Sequence, residues 1–282
     1  MARGKDSARD TAPGGKETGM AEKASRTWEP KGRPTDFMQG FAKGLVVIES
    51  FSESERRMSV SAVAQRTGLD RATARRCLLT LHAMGYAGYD GKYFWLTPRT
   101  LKLGHAYLQS TALPDLVQPH LEKLTALTGE SASVSVLDGT EIVYVARSSQ
   151  RRVMAINLNP GSRLPAYCSS MGRVLLAALP MSEAVEILEA SERTQLTPFT
   201  KTELGELVST LGQVARQGYA VIDQELERGL CSIAVPLFNA SCTVVAALNI
   251  GAHIARSSAG ALVENCLPLL IETQDALRDS LP

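Results

Sequence analysis

The sequence predicts two domains: a mainly helical N-terminal winged helix-turn-helix with a small β wing, and a larger C-terminal α+β domain with an antiparallel sheet. The chain of 282 residues exceeds the usual size of one domain. The period of its apolar residues changes from 3.6 to 2 near residue 130, as expected where a helix gives way to strands. Asp-Gly pairs at 90–91 and 138–139 each predict a two-residue hairpin turn, so strands occur in both halves.

Composition places the domain boundaries. Residues 1–35 are rich in Gly, Lys, Ser, Thr and Pro and poor in large aliphatic side chains, which predicts a disordered tail. We expect the winged helix-turn-helix at 36–97, a linker or dimerisation helix at 98–112 and the larger domain at 113–282.

Three helices are predicted in the first domain. In the first, Leu45, Val46, Ile48 and Phe51 fit one apolar stripe. The second follows a serine in SVSAVAQRTG and ends at Gly68, and Asp70 can cap the third. Two short helices joined by a tight link form a helix-turn-helix, whose second helix enters a DNA major groove.

The third helix has two chemically different faces. Thr73, Ala74, Cys77, Leu78, Leu81 and Met84 are expected on the buried side. The opposite side carries the candidate DNA-binding residues Arg71, Ala72, Arg75 and Arg76, and Lys92 in the predicted wing is a further candidate. The alternative is that the arginines only solvate a surface helix, but their position between a helix-turn-helix link and a hairpin favours DNA.

The remaining elements follow in order. Thr97 and Pro98 begin a connecting helix, in which Leu101, Gly104, His105 and Leu108 share a face that can pack against a second subunit. His82 and His105 are expected to be structural histidines. A helix at 113–128 ends at Gly129, strands flank residues 138–139, and a third strand is expected at 152–159. Helices are expected near 169–179, 182–190, 202–217 and 259–279, with strands at 231–238 and 243–251.

Charge and motifs exclude several classes of protein. Residues 1–112 carry 18 basic and 11 acidic side chains, whereas residues 113–282 carry 12 and 18, so a polyanion partner is expected at the first domain. The five cysteines lack the spacing of a disulfide framework or a zinc site. No membrane-length apolar run, signal peptide, nucleotide-binding loop or G-x-S-x-G motif is present, so we expect a cytoplasmic protein without cofactor, metal or catalytic residues.

Three segments together resemble the IclR family of bacterial regulators. They are LDRATARRCLLTLHAMGY, SRLPAYCSSMGRVLLA, and GYAVIDQELERGLCSIAVPLF followed by AALNIG. The stretch LPAYCSSMGRVLLA, with LKLGHAYL, is similar to the branch that controls catabolism of protocatechuate, 4-hydroxybenzoate and β-ketoadipate. The resemblance covers about residues 37–255 and implies a GAF-like effector-binding domain, a homodimer or dimer of dimers, and an aromatic or dicarboxylic acid effector.

The resemblance also implies the effector pocket. The implied residues are Ser169, Ser170, Met171, Asp223, Glu225, Cys231, Ser232, Asn249 and Gly251. The start of the helix after LPAY suits a carboxylate, because a helix N-terminus offers unpaired N–H groups. Arg147 or Arg163 could add a formal charge, but the sequence does not show which way they point. Each residue also has a structural alternative: a helix cap for Ser169 or Ser170, a solvated loop for Asp223 and Glu225, and a small core residue for Cys231.

These observations favour a ligand-responsive, sequence-specific DNA-binding transcriptional regulator of aromatic acid catabolism. We expect an activator that contacts a double-stranded operator and RNA polymerase, and the alternative is a repressor that senses a different small organic acid. An enzyme with Cys168 or Cys231 as nucleophile and His120 or His253 as base would need an arrangement that the sequence does not indicate. A constitutive architectural DNA binder would leave the larger domain without a role.

Overall fold

A computed structural model of the chain describes residues 36–52, 54–149 and 158–281. The chain divides into two compact units, with the boundary between Leu103 and Gly104. The predicted tail at 1–35 and most of the predicted strand at 152–159 lie outside the described residues. None of the helices in the described ranges combines the length and the apolar composition that a membrane crossing requires.

The first unit has the predicted winged helix-turn-helix. Its elements are α1 (Gln39–Glu49), α2 (Val60–Thr67), α3 (Arg71–Ala83), β1 (Ala87–Tyr89) and β2 (Phe94–Leu96). The predicted caps are confirmed: Ser59 Oγ accepts from the N–H of Ala62 at 3.3 Å, and Asp70 Oδ1 accepts from the N–H of Thr73 at 2.9 Å. Gly68 ends α2 with a φ of 70°, a left-handed conformation that glycine adopts without strain.

The apolar stripe predicted for α1 is wrong at Leu45, although Ile48 and Phe51 pack against the core of the first unit. Val47 is the buried apolar residue of α1, and Leu45 remains exposed. Because α1 packs on α3 through Val47, the side that carries Phe41 and Leu45 faces outward. A stripe chosen by sequence spacing cannot show which of two adjacent apolar sides the neighbouring helix covers.

Both predicted hairpins form, with their turns one residue later than expected. Asp138 pairs with Glu141, so the loop consists of Gly139 and Thr140, and Gly139 has a φ of 62°. In the wing, the N–H of Asp90 donates to the carbonyl of Tyr93 at 3.3 Å, which leaves Gly91 and Lys92 as the loop. Asp138 therefore ends its strand and Asp90 directly follows β1, and glycine takes the first, positive-φ position of each turn.

The connecting segment begins at the predicted cap. Thr97 Oγ1 accepts from the N–H of Arg99 at 3.3 Å, a 3₁₀ turn covers Pro98–Thr100, and α4 continues over Leu101–Ser110. The structural role predicted for His82 is confirmed, because its Nδ1 lies 3.0 Å from the carbonyl oxygen of Ala87. His105 instead is exposed on α4.

The second unit is the predicted α+β domain with an antiparallel sheet. Its helices are α5 (Leu113–Thr128), α6 (Ser170–Ala177), α7 (Met181–Ala190), α8 (Leu204–Gln217) and α9 (Ala259–Leu277). Its strands are β3 (Ser131–Asp138), β4 (Glu141–Ser148), β5 (Arg163–Pro165), β6 (Ala220–Asp223), β7 (Leu230–Phe238) and β8 (Val244–His253). They pair in the order β5-β4-β3-β8-β7-β6, all antiparallel. The short edge strands β5 and β6 were not predicted.

The sheet of the second unit separates two apolar cores. On one face, Val134, Ile233 and Leu248 pack with the apolar sides of α5 and α9. On the other, residues such as Ile142 and Ala234 pack beneath α6, α7 and α8. Successive residues of a strand point to opposite faces, so burial on both sides explains why these strands are nearly continuously apolar. The polar exceptions in the strands mark the candidate site.

Candidate functional site

The outer face of α3 is a row of arginines. Arg71, Ala72, Arg75 and Arg76 are exposed, whereas Ala74 and Leu78 on the opposite side are fully buried. Arg76 Nη2 also donates to Thr73 Oγ1 at 3.2 Å, which holds its guanidinium against the first turns of the helix. Met84, predicted on the buried side, is instead 56% exposed because α3 ends at Ala83.

A charged residue of the wing, Asp90, orders the turn and joins the wing to the loop between α1 and α2. The N–H groups of Tyr93 and Lys92 donate to Asp90 Oδ1 at 2.7 and 2.9 Å, and these two bonds lower the pKa of that carboxyl. Asp90 also pairs with Arg57, whose guanidinium lies 4.6 Å from the centre of the Trp95 ring. Lys92 is exposed at the turn, with its ammonium group 5.0 Å from the Tyr93 ring.

These features suit a double helix of DNA. A capped helix that exposes guanidinium groups along one side can reach base edges and phosphates in a major groove, and an adjacent hairpin can contact the backbone. All five sequence-predicted residues, Arg71, Ala72, Arg75, Arg76 and Lys92, are therefore accessible in the first unit.

The second unit contains a polar cavity between its sheet and α6. Two cross-strand rows of the sheet form its floor. One row runs from Arg147 on β4 through Ser133 on β3 to Asn249 on β8. The second row contains Ser131 on β3, Gly251 on β8, and Ser232 on β7. Since these residues are opposite one another across paired strands, their side chains share one face of the sheet.

The start of α6 covers this floor. Ser169 is the N-cap, and its Oγ accepts from the N–H of Gly172 at 3.2 Å. Ser170 Oγ lies 2.9 Å from Ser232 Oγ, and Ser135 Oγ lies 3.2 Å from the sulfur of Met171. The helix can approach because residue 172 is glycine: a Cβ there would lie 2.2 Å from the carbonyl oxygen of Ala166.

The structure distinguishes the two arginines that the sequence left open. Arg147 lies in the cavity, where its guanidinium contacts the hydroxyls of Ser133 and Ser131 at 3.4 and 3.3 Å, and burial lowers its pKa. Arg163 pairs outside the cavity with Glu141 at 2.8 Å and Asp138 at 2.7 Å. Within residues 36–52, 54–149 and 158–281, no carboxylate forms an ion pair with Arg147.

Six of the nine effector residues predicted in the sequence line the cavity. They are Ser169, Ser170, Met171, Ser232, Asn249 and Gly251. Asn249 is 8% exposed, and its Oδ1 has no hydrogen-bond partner in the described structure. A buried acceptor without a donor is costly, so a donor from a bound molecule would relieve this cost.

The other three predicted residues lie elsewhere. Glu225 forms a buried two-bond ion pair with Arg173, with both N–O distances 2.7 Å, so its carboxylate holds the loop after β6 against α6. The Cys231 thiol lies 2.9 Å from the carbonyl oxygen of Ser257, in the core on the opposite face of the sheet. Asp223 is exposed at the end of β6. A local motif does not show which face of the sheet a strand residue points to. It also does not show which residue pairs with Glu225.

Seven further residues of the cavity wall were not among the candidates from the sequence. They are Ser131, Ser133, Tyr144, Leu164, Ile222, Leu226 and Leu230. One signal was present: Ser131, Ser133 and Ser135 alternate with apolar residues along β3, and alternation of this kind places three hydroxyls on one face. The apolar wall residues gave no comparable signal.

The two cysteines that the sequence offered as nucleophiles are unsuited to that role. Burial raises the pKa of Cys168 to about 12 and that of Cys231 to about 11, so both thiols stay protonated near neutral pH. A thiol nucleophile needs the opposite shift. Among the residues that the structure describes, no group of three His, Cys, Asp or Glu side chains is arranged to hold a metal ion.

Each of the two units matches the model of a known protein family. The model of the IclR helix-turn-helix domain matches residues 41–91, and that of the C-terminal domain of bacterial IclR transcriptional regulators matches residues 105–278. The chain is 42% identical over 253 residues to the Pca regulon regulatory protein of Pseudomonas putida, covering 89% of this chain and 87% of that protein. It is 40% identical over 252 residues to the p-hydroxybenzoate hydroxylase transcriptional activator of Acinetobacter baylyi, covering 88% and 93%.

Two crystal structures are similar to the chain. One, from Rhodococcus sp. RHA1, is of a protein assigned as a transcriptional regulator; the TM-score is 0.72 and the identity 48%, covering 85% of this chain and 96% of that one. The other is a double mutant of the inducer-binding domain of PobR from Acinetobacter in complex with 3-hydroxybenzoic acid. Its TM-score is 0.57 and its identity 36%, covering 60% of this chain and 98% of that one. These relatives are transcriptional regulators and not enzymes.

Proposed function

The chain belongs to the IclR family of bacterial transcriptional regulators, and we propose that it activates genes of aromatic acid catabolism when a small aromatic carboxylic acid occupies its polar cavity. The names of the two relatives support the pathway, and the name of the Acinetobacter baylyi protein supports activation. The complex of the PobR domain with 3-hydroxybenzoic acid supports the chemical class of the effector.

The observation that carries the proposal is the position of Arg147. A guanidinium that is largely removed from water needs hydrogen-bond acceptors, and the two serine hydroxyls at 3.3 and 3.4 Å are long, neutral partners. A carboxylate would give it charge-assisted, two-bond contacts of the kind that arginine favours. The carboxylate of the effector is therefore assigned to Arg147, with Ser131 and Ser133 beside it.

The cavity is small. Its volume is about 30 Å³, room for one or two water molecules, so an aromatic acid can enter only if the wall moves. Met171 is suited to this, since its unbranched side chain adapts to irregular space. Because Met171 and Ser170 lie in the first turn of α6, effector binding is expected to shift that helix. Only an effector that binds the shifted form more tightly can change the population of states.

The first unit supplies the output. Arg71, Ala72, Arg75, Arg76 and Lys92 are proposed to contact a specific double-stranded operator in the cytoplasm, with α3 in the major groove. A homodimer or a dimer of dimers would present two such helices to a pseudo-palindromic site. Activation would then place RNA polymerase in contact with the bound regulator. A repressor that senses a different acid is the alternative.

The test pairs two arginine substitutions. Arg147→Gln should abolish the rise in melting temperature that protocatechuate or 4-hydroxybenzoate produces in the parent protein, because a ligand that binds only the folded state stabilises it. Arg163→Gln removes the same charge outside the cavity and should respond like the parent. Transcription from a template with the operator should rise with the same acid in the parent and in Arg163→Gln only.

Each alternative has its own outcome. A normal acid response in Arg147→Gln would move the carboxylate away from Arg147, and the N-terminus of α6 would become the next anchor to test. Transcription that falls when the parent binds DNA, and is restored by the acid, would identify a repressor.

A further inference from the structure

Among the residues that the structure describes, Asn249 has a buried hydrogen-bond acceptor without a partner. Asn249 lines the cavity and is 8% exposed, and its Oδ1 is enclosed by the surrounding residues. An amide oxygen can only accept, so the complementary group on a ligand is an O–H or N–H donor. A carboxylate or carbonyl oxygen placed there would put two acceptors together and leave the oxygen of Asn249 unpaired.

The sheet fixes where this donor must be relative to the carboxylate. Arg147 and Asn249 are opposite Ser133 from its two sides, on β4 and β8. Adjacent strands are about 4.8 Å apart, so the two backbones are separated by roughly 10 Å. A ligand that reaches both side chains therefore crosses β3, with its carboxylate at one end and its donor at the other. A donor next to the carboxylate would remain near Arg147.

We propose that Asn249 selects effectors with a hydrogen-bond donor on the ring, meta or para to the carboxylate, by accepting that hydrogen bond at Oδ1. This inference rests on the proposed function, and it narrows the set of effectors. Hydroxybenzoates with a meta or para hydroxyl satisfy both ends of the cavity, and protocatechuate is one of them. Benzoate, 2-hydroxybenzoate and the aliphatic dicarboxylate β-ketoadipate do not.

The first measurement is a ligand series on the unmodified full-length protein, followed by titration calorimetry. Benzoates with 4-hydroxy and 4-amino groups carry a donor, whereas 4-fluorobenzoate has a substituent close in size to a hydroxyl without one. The donor pair should bind about tenfold or more tightly than 4-fluorobenzoate and benzoate, since the latter leave a buried acceptor unpaired. 2-Hydroxybenzoate should bind like benzoate.

The second measurement removes the acceptor. Asn249→Leu keeps a side chain of similar size without the amide, and it should reduce the preference for 4-hydroxybenzoate over 4-fluorobenzoate from about tenfold to about one. Met171→Leu, a change of similar volume in the same wall, should alter both affinities by the same factor and keep the preference.

The outcomes are distinct. Equal affinities of the parent for 4-hydroxybenzoate and 4-fluorobenzoate overturn the role of Asn249 while leaving the proposed function intact. An unchanged preference in a folded Asn249→Leu protein does the same. If the parent binds none of the benzoates, the proposed function fails and this inference fails with it. Should Asn249→Leu not fold, the ligand series on the parent still decides the question.

Discussion

Single residues set the chemistry of both sites, and in each case a local interaction determines which side chain is free to act. On α3, Arg76 is tied to Thr73 by a hydrogen bond of 3.2 Å. Arg75 lies in the middle of the exposed face. Outside the cavity, Arg163 is engaged by two carboxylates, whereas Arg147 in the cavity contacts only serine hydroxyls among its described side-chain hydrogen bonds. Free hydrogen-bonding capacity is thus the property that separates a contact residue from a structural one.

The first prediction at this scale concerns Arg75. Arg75→Ala should weaken operator binding by about 1 to 3 kcal/mol, or roughly fivefold to 150-fold, because a base contact of the exposed helix face is lost. Effector affinity should not change. Fluorescence titrations of labelled operator at fixed salt measure this, since phosphate contacts depend steeply on ionic strength. Arg228→Ala, an exposed arginine of the second unit, is the control. Parental operator affinity in Arg75→Ala would remove Arg75 from the interface.

A second prediction follows from the buried thiol of Cys168. Its pKa is raised by burial from 9.0 to about 12, so above pH 9 the unfolded chain loses this proton while the folded protein keeps it. Stability therefore falls as pH rises from 9 towards 12, by about 1.4 kcal/mol per pH unit for this group. Cys168→Ala should flatten that decline in urea unfolding between pH 9 and 10.5. Cys242→Ala removes an exposed thiol and should leave the slope as in the parent. Identical slopes in all three proteins would contradict the assignment.

At the scale of elements, α6 joins the core to the cavity. Its first turn supplies Ser170 and Met171 to the cavity, and Arg173 from the next turn anchors the loop that contains Glu225. Glu225 additionally accepts from the N–H of Lys201 at 3.0 Å. A displacement of α6 thus reaches the cavity, the loop before α8 and the loop after β6. A buried ion pair of this kind is costly to break by removing one partner.

The close contact of α6 gives a prediction about a glycine. Gly172→Ala would place a Cβ 2.2 Å from the carbonyl oxygen of Ala166, and backbone cannot give way cheaply. We expect a loss of a few kcal/mol in the free energy of unfolding, as for overpacked cores, and a weaker acid response. Gly212→Ala in α8 meets only the end of Arg216 at 3.7 Å and should stabilise the protein by up to about 1 kcal/mol. The free energies of unfolding of both variants can be measured by urea unfolding. An unchanged free energy in Gly172→Ala would show that α6 can move away from Ala166.

The elements also show what sequence reasoning can reach. Caps such as Ser59 and Asp70 and terminators such as Gly129 were predictable because they depend on neighbours a few residues away. The edge strands β5 and β6 were not predicted, because three or four residues are too few to show an alternating apolar pattern. Their conformation also depends on pairing with β4 and β7. The side of the sheet to which the Arg147 side chain points likewise depends on the pairing of β4 with β3. Most of the fold was therefore predictable from the sequence. The residues that line the cavity were predictable only in part.

For the whole molecule, charge and exposure indicate how it acts. The basic excess of residues 1–112 belongs to the unit that exposes the arginines of α3, whereas the acidic remainder contains the cavity. Because the two units have opposite net charge, DNA is expected to bind to the first unit. The acidic second unit repels the phosphates of DNA.

Helix α4 exposes several large apolar side chains. Every residue from 101 to 107 is exposed, and among them Leu101 is 73%, Leu103 47% and Tyr107 46% accessible. An exposed ten-residue helix is marginal by itself, so it requires packing from another surface. The first unit also has an open apolar groove of about 550 Å³ whose lining includes Leu45, Met84 and Leu103. Large exposed apolar surfaces mark interaction sites.

A second copy of the chain is the partner we expect on α4, and the last prediction tests it. Two-fold association would bury the leucines of both copies and place two recognition helices on half-sites one DNA turn, or a multiple of it, apart. Leu103→Glu should shift the protein from dimer towards monomer in analytical ultracentrifugation and weaken binding to a two-half-site operator far more than to a single half-site. Lys102→Glu introduces the same carboxylate at the neighbouring exposed position and should keep more of the dimer, since no apolar contact is lost. A parent protein that is monomeric at micromolar concentration with and without operator would assign the apolar surface of α4 to some other partner.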